Sequence, residues 1–274
     1  MIPPGLHPVI PSSCHPVVHH SLRTRLTPVR TLITGASSGI GAALARELSR
    51  RGHALGLVAR RAEMLDALVA ELKTPAIALP CDVTDSAAVR EAVARGEAAL
   101  GGAFDLAVAN AGVGISFPVT KFNLADAELM VRVNVIGMMV LFDAVVPKMI
   151  ERRGGHFAGV ASLAGLRGLP TSSVYSATKA AMQAFLEATR VELAPLGVAV
   201  TTINPGFVVS PMTEKNKFKM PFLMTAERAA RIIADGLERR ARVVQFPKPM
   251  SMLMRFARAM PNAVYDRALR SARR

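Results

Sequence analysis

Eight residues, Thr34-Gly35-Ala36-Ser37-Ser38-Gly39-Ile40-Gly41, constrain the fold of this chain more than any other stretch. They follow a short apolar run, 29–33, that reads as a strand. They precede 42–51, which reads as a helix with Leu44 and Leu48 on one face. A strand, a glycine-rich turn and a helix, in that order, are the context in which a glycine pattern signals a nucleotide site. Gly35 can take the backbone angles of a tight exit from the strand. Gly39 leaves no Cβ in the way of a pyrophosphate, and Gly41 lets the helix pack close to the sheet. The helix amino end then offers unpaired N–H groups and a positive dipole end to phosphate. Ser37, Ser38 and Ile40 share the turn and are candidate cofactor contacts with the three glycines. Alone, such a turn can also be purely structural, so the rest of the chain decides.

The chain has 274 residues, which suits one larger α/β domain. Residues 1–28 hold six of the 18 prolines and four of the six histidines, with no acidic residue and no helical period. They read as a mobile extension outside the fold. His15, His19 and His20 are conceivable metal ligands there, but a flexible tail is the favoured reading. The segment lacks the basic-then-apolar order of a secretory signal. Downstream, apolar runs predict strands at 53–59, 76–80, 105–109, 155–161, 198–204 and 242–246. Helical patterns fall between them at 62–72, 86–100, 126–151, 172–194 and 225–239. Strands without polar alternation, separated by helices, predict a parallel sheet covered on both faces. Right-handed crossovers make it a single doubly wound α/β domain of about seven strands.

Composition narrows the partners. No uninterrupted apolar run approaches the ~20 residues that span a bilayer. Cys14 and Cys81 have no metal-type spacing, so a disulfide framework is not expected and a reducing cytoplasm fits. A net charge of +14 calls for an anion such as a phosphate-rich cofactor, an acidic lipid surface or nucleic acid, or reflects only an Arg-rich surface. The charges are scattered along helices and no aromatic-interleaved motif accompanies them, so nucleic acid is not expected.

The chemistry is carried by Tyr175-Ser176-Ala177-Thr178-Lys179, at the start of the helix after strand five. Residues four apart share a helical face. An ammonium one turn from a phenol favours the phenolate and lowers the tyrosine pKa, which allows proton exchange with an alcohol or carbonyl. A Tyr and a Lys four apart are surface decoration in most helices. Ser162 changes the balance, because it lies just past the carboxyl end of strand five, where ligands of open parallel sheets bind. Asn134, mid-helix and a poor helix former, either binds water on a proton path or faces solvent.

Together, these motifs resemble the short-chain dehydrogenase/reductase family. The G-x-x-x-G-x-G turn matches its first motif. Ser162, Tyr175 and Lys179, with Asn134 upstream, match its catalytic set in identity and order. Asn110-Ala111-Gly112 looks like its N-A-G motif, Asp82-Val83 its adenine-contacting pair, and Pro205-Gly206 its P-G motif beside the nicotinamide. The resemblance covers about 29–246 and implies a Rossmann fold. It implies hydride transfer between a nicotinamide and a carbonyl or secondary alcohol. Tyr175 is then the general acid or base, Lys179 lowers its pKa and binds the ribose, Ser162 orients the substrate oxygen, and Asn134 supports a water relay. Ala161 stands where many members have a second serine, Ala109 where many have another Asn, and Ser210 where a Thr is usual. Val208 and Ser210 are candidate contacts after the P-G pair. The helices 126–151 and 172–194 are expected to pair across a two-fold axis, giving a homodimer or homotetramer.

The second strand ends Leu57-Val58-Ala59-Arg60-Arg61, without the acid that would bind a ribose 2′-OH. Arg60 and Arg61 offer forked donors suited to a 2′-phosphate, so NADP(H) is expected over NAD(H), unless they simply open an exposed helix. The resemblance implies that residues 207–224 cover the substrate; Met212, Met220, Phe222, Leu223 and Met224 there, with three lysines, suggest an apolar wall and a lipophilic substrate, or equally ordinary packing. Val113, Ile115 and Phe117 add to it. The tail 248–274 has seven basic residues and one acid and reads as amphipathic. A lid or subunit contact is favoured over a membrane surface. The rival functions are an NADP(H)-binding sensor without turnover and a nucleotide-sugar epimerase. The epimerase would need a separate sugar-binding domain, for which the chain is too short.

Overall fold

The computed structural model describes residues 28–214 and 220–271. The extension 1–27, with His15, His19, His20 and Cys14, lies outside the described residues, as do Lys215, Lys217 and Lys219. Seven strands form one parallel sheet: β1 Arg30–Thr34, β2 Ala54–Ala59, β3 Ala76–Pro80, β4 Leu106–Ala109, β5 Gly155–Val160, β6 Val198–Pro205 and β7 Val243–Phe246. Their order is β3-β2-β1-β4-β5-β6-β7. All six residues of β2 and all six of β5 are buried, which is why neither shows polar alternation.

Helices cover both faces. On one, α1 (Gly39–Arg50) and α7 (Ala226–Glu238) bury Leu44, Leu48, Ile233 and Leu237. Helix α2 (Ala62–Glu71) adds Leu65 and Leu68 to the same core. On the other face, α3 (Ser86–Ala99), α5 (Gly137–Glu151) and α6 (Ser173–Leu193) bury Val89, Val93, Leu141, Val145, Met182 and Leu186. This is the expected single-domain, doubly wound Rossmann architecture. The chain runs outward from β1 to β3, then crosses back so that β4 pairs with the other edge of β1. That reversal opens a crevice beyond the carboxyl ends of β1 and β4, the usual ligand position in such sheets.

Two elements differ from the sequence expectation. The long helix predicted at 126–151 is not uniform. It starts earlier as α4 (Leu124–Met130), capped by the Asn123 side chain, widens into a π turn at Val131–Ile136, and resumes as α5. The π turn carries Asn134, and such insertions are frequent at functional sites. The helical run Leu124–Glu151 contains a window long and apolar enough to cross a bilayer by length and composition, but half of that window is buried in the protein. It is a core helix. The tail is also not one helix: α8 (Lys248–Ala259) and α9 (Asn262–Ser271) are separated at Pro261. Pro261 has no N–H with which to continue α8.

Candidate active site

The glycine turn is braced from β4. Thr34 Oγ1 accepts the main-chain N–H groups of Asn110 and Ala111, each at 3.1 Å. The Asn110 amide donates back to the carbonyls of Thr34 (2.9 Å) and Gly35 (3.1 Å). Gly35 and Gly39 have φ of +66° and +55°, the left-handed region that only glycine enters cheaply. A Cβ at Gly41 would overlap the Gly35 carbonyl oxygen and lie 2.5 Å from Asn110 Nδ2, so the close approach expected of Gly41 is made against the turn itself. Asn110 therefore spends its amide donors on holding the turn.

The amino end of α1 is left open. Ser38 occupies the N-cap position without a side-chain cap bond, and the first turn carries no acid. Its hydroxyl faces Arg61 instead, whose Nη2 donates to Ser37 Oγ (2.8 Å) and Ser38 Oγ (3.1 Å). Arg60 turns the other way, 4.0 Å from Asp82. Asp82 Oδ1 accepts from the Thr84 main chain and hydroxyl, both at 2.9 Å. Val83 is buried against Gly137. The structure thus separates the two arginines: Arg61 joins the turn, and Arg60, with a side chain 71% exposed, lies beside Asp82.

Ser162, Tyr175, Lys179 and Asn134 converge near the carboxyl ends of β4 and β5. The Ser162 hydroxyl accepts the Ala164 N–H at 3.1 Å and donates to the Pro205 carbonyl at 3.4 Å, and it is near enough to the Tyr175 phenol to favour its ionised form. Lys179 lies one turn behind Tyr175 and is 3% exposed, and its Nζ donates to the Val160 carbonyl at 2.8 Å. That nitrogen is 5.7 Å from the Tyr175 ring centroid. Asn134 is fully buried, so it does not face solvent. Its Oδ1 accepts the Val113 N–H (2.8 Å), and its Nδ2 donates to the Val113 carbonyl (2.9 Å) and Thr178 Oγ1 (3.1 Å). A Cβ on Gly112 would stand 3.3 Å from Asn134 Oδ1 and 3.6 Å from Lys179 Nζ. One loop, 110–114, therefore runs from the glycine turn to the lysine and tyrosine.

Burial, more than the neighbouring ammonium, sets the titration of this pair. Loss of water pushes the Tyr175 phenol above its ordinary value, opposed only in part by the Ser162 hydrogen bond. The same loss pulls Lys179 down to about 7. The expected lowering by Lys179 is not seen in this arrangement, where Nζ is turned to the Val160 carbonyl and the half-buried phenol is raised by lost water.

The segment after β6 lies across the site. Pro205 ends the strand, and Gly206 donates to the Phe246 carbonyl at 2.7 Å. Val208 is buried and bridged to Met224. Ser210 Cβ lies 3.0 Å from where a Gly39 Cβ would be, and its hydroxyl pairs with Thr213 rather than pointing freely outward. A Cβ on Gly114 would meet the Met212 sulfur at 3.2 Å and the Tyr175 ring at 3.3 Å, so Met212 and Tyr175 share one wall.

Two contributors were not singled out from sequence. Thr178 supports Asn134 and donates to the Tyr175 carbonyl at 2.8 Å. Gln183 Nε2 donates to the Ser162 carbonyl (2.7 Å) and Asn204 Oδ1 (2.9 Å). Gln183 is four residues past Lys179, so the helical period that joined Tyr175 to Lys179 extends to it.

A dinucleotide fits this donor set. The uncapped first turn of α1 suits a pyrophosphate, and the groove beside it is lined by Ser37, Ser38, Gly39, Arg46 and Ser210. Fold and site together define a nucleotide-binding oxidoreductase of the doubly wound class. Residues 30–220 match the short chain dehydrogenase family. The chain is 40% identical over 245 residues to an uncharacterized oxidoreductase of Myxococcus xanthus, covering 88% of this chain and 96% of that protein. Among solved structures, a short-chain dehydrogenase from Sphingobium yanoikuyae in complex with NADPH superposes with a TM-score of 0.73 at 30% identity, covering 90% of this chain and 93% of the other. A 3-oxoacyl-[acyl-carrier protein] reductase with bound NAD from Brucella melitensis superposes with a TM-score of 0.69 at 28% identity, covering 79% and 87%. The chain belongs to the short-chain dehydrogenase/reductase family and is an NAD(P)-dependent dehydrogenase/reductase.

Proposed function

We propose that the protein is an NADP(H)-dependent oxidoreductase that interconverts a lipophilic carbonyl compound and its secondary alcohol, with the chemistry carried by Ser162, Tyr175 and Lys179. The observation that carries this reading is the convergence of Ser162, Tyr175 and Lys179, with Lys179 one turn behind the phenol, against a loop continuous with the braced glycine turn. The nicotinamide supplies or accepts the hydride. Ser162 donates to the substrate oxygen and sets its position. Tyr175 gives that oxygen its proton during reduction. The same group takes that proton back when the alcohol is oxidised, so it serves both directions of the reaction. Lys179, one turn behind the phenol, is the group to bind the nicotinamide ribose. Asn134 fixes the Val113 main chain and keeps one Oδ1 lone pair for a relay water.

Arg61, held on the serines of the turn, supports NADP(H) over NAD(H) through a 2′-phosphate. Met212 beside Tyr175 supports a lipophilic substrate covered by 207–224. The catalytic unit is then 29–247. The exposed apolar residues Leu129, Val131 and Ile136 along α4 and the π turn, with Val191 on α6, support pairing of two subunits across these helices.

The test is a panel of apolar ketones and secondary alcohols with the full chain, following NADPH absorbance. Tyr175→Phe should cut turnover by roughly 10²–10⁴-fold while NADPH affinity stays within about twofold. NADPH binding without turnover on any member of the panel would instead favour a sensor.

A further inference from the structure

The outer face of α8 is the strongest feature that the oxidoreductase reading leaves unused. Its inner face is occupied. Met250, Ser251 and Met254 are buried, and the two methionines pack on Leu163, the neighbour of Ser162, with Leu166, Leu169 and Phe207 around them. A lid needs no more than that face. On the opposite side, Met252 is 71% exposed, Leu253 56% and Phe256 66%. These positions are i, i+1 and i+4, one stripe on the helix. Lys248, Arg255 and Arg258 flank it, all exposed, and α8 contains no acidic residue. The helix is also fixed in place. Arg167 donates to the Arg258 carbonyl (3.4 Å) and Asn262 Oδ1 (2.7 Å), and lies 4.4 Å over the Tyr265 ring. Tyr265 in turn donates to the Gly168 carbonyl at 2.7 Å.

We propose that this face docks on an anionic phospholipid surface, with Met252, Leu253 and Phe256 entering the interface and Lys248, Arg255 and Arg258 meeting the headgroups. The sequence alone favours a lid or a subunit contact for this tail. The packing changes that, because the lid role uses the inner face only. A second copy is disfavoured by charge. A two-fold contact sets the same surface against itself, so the basic flank of one protomer would meet the basic flank of its partner without a carboxylate on either helix. An apolar stripe bordered by cations on a chain of net charge +14 is complementary to anionic lipid. Because α8 rests on Leu163, docking would set the substrate side of the molecule against the bilayer, where a lipophilic substrate is concentrated.

Flotation of the full chain with phosphatidylcholine vesicles, and with phosphatidylcholine–phosphatidylglycerol vesicles, tests this. The chain should float with the anionic vesicles and not with the neutral ones. The double variant Met252→Gln with Phe256→Gln should lose at least about tenfold in partitioning, because two buried apolar side chains are removed from the interface. Lys248→Gln with Arg255→Gln should weaken it about fivefold per residue removed, more at low salt. No flotation with anionic vesicles, or equal flotation of wild type and the apolar double variant, overturns the proposal. So does light scattering in which the apolar double variant turns a wild-type dimer into a monomer, since the face would then be a subunit contact. These readouts need no turnover, so they stand or fall apart from the catalytic assignment.

Discussion

Replacing Arg61 by alanine should change the choice of cofactor more than its overall binding. Nη2 of Arg61 sits 2.8 Å from Ser37 Oγ and 3.1 Å from Ser38 Oγ, so the guanidinium is already positioned at the turn. A hydrogen bond to a charged group is worth about 1.5–3 kcal/mol. Arg61 is exposed, and screening puts the 2′-phosphate contact at the low end, about 1.5 kcal/mol, or roughly tenfold in affinity. Arg60 is 71% exposed and lies beside Asp82 rather than at the turn, so Arg60→Ala should weaken NADPH less than Arg61→Ala does. Dissociation constants for NADPH and NADH, from fluorescence titration of wild type, Arg60→Ala, Arg61→Ala and Arg61→Lys, give the comparison. Arg61→Ala should weaken NADPH about tenfold and NADH by less than about twofold, with Arg61→Lys in between because charge survives and the fork does not. Equal weakening of both cofactors would mean that Arg61 only supports the serines. A larger effect from Arg60 would refute the geometric ranking.

Gly41→Ala places a methyl group against the Gly35 carbonyl and Asn110 Nδ2, backbone and a braced side chain with little room to give. Such overpacking costs about 1–3 kcal/mol, so thermal unfolding should show a lower Tm and NADPH titration a weaker Kd; wild-type values for both would defeat the reading. Gln183→Leu strips the donor from two acceptors, the Ser162 carbonyl and the buried Asn204 Oδ1. It should lower kcat about tenfold with NADPH affinity unchanged, and a loss of NADPH affinity instead would make Gln183 a packing residue only. Lys179 titrates near 7 in the fold and near 10.5 when unfolded, so the unfolded chain binds more protons between those values and stability rises with pH across them. The full span amounts to roughly 5 kcal/mol at 1.36 kcal/mol per pH unit. Wild type should therefore gain Tm from about pH 7 to 9.5 relative to Lys179→Met, while Tyr175, raised by burial, acts in the opposite sense only at higher pH; parallel Tm curves would contradict the buried-amine picture.

Much of this site was legible because its signals are local. Three glycines within seven residues, and a Tyr and Lys one helical turn apart, need no tertiary knowledge to suggest a turn and a shared face. The alternation of apolar runs and helical patterns likewise gave all seven strands of a parallel sheet. What stayed hidden depends on sheet order. Thr34 and Asn110 are 76 residues apart, and only the return of β4 to the edge of β1 makes them partners. The difference between Arg60 and Arg61 is one of direction at the exit of β2, which a pattern of two adjacent cations does not encode. The π turn was invisible for another reason. A uniform 3.6-residue period was assumed across 126–151, and one wider turn changes which side of the helix Asn134 occupies. That shift turned a residue read as solvent-facing or water-binding into a buried brace between Val113 and Thr178.

The bracing suggests why the cofactor turn and the proton-handling residues are tied so closely. Loop 110–114 begins as the clamp on Gly35, passes Gly112 between Asn134 and Lys179, and ends with Gly114 against the Tyr175 ring. A methyl group on Gly112 or Gly114 would stand 3.2 to 3.6 Å from Asn134, Lys179, Met212 or Tyr175. The loop therefore runs as one close-fitting segment from the glycine turn to the tyrosine. Hydride and proton must reach atoms one bond apart on the same substrate, so a fixed distance between the two ends is a mechanical requirement of the chemistry. Lys179 is buried beside the same loop, and the loss of water there lowers its pKa to about 7.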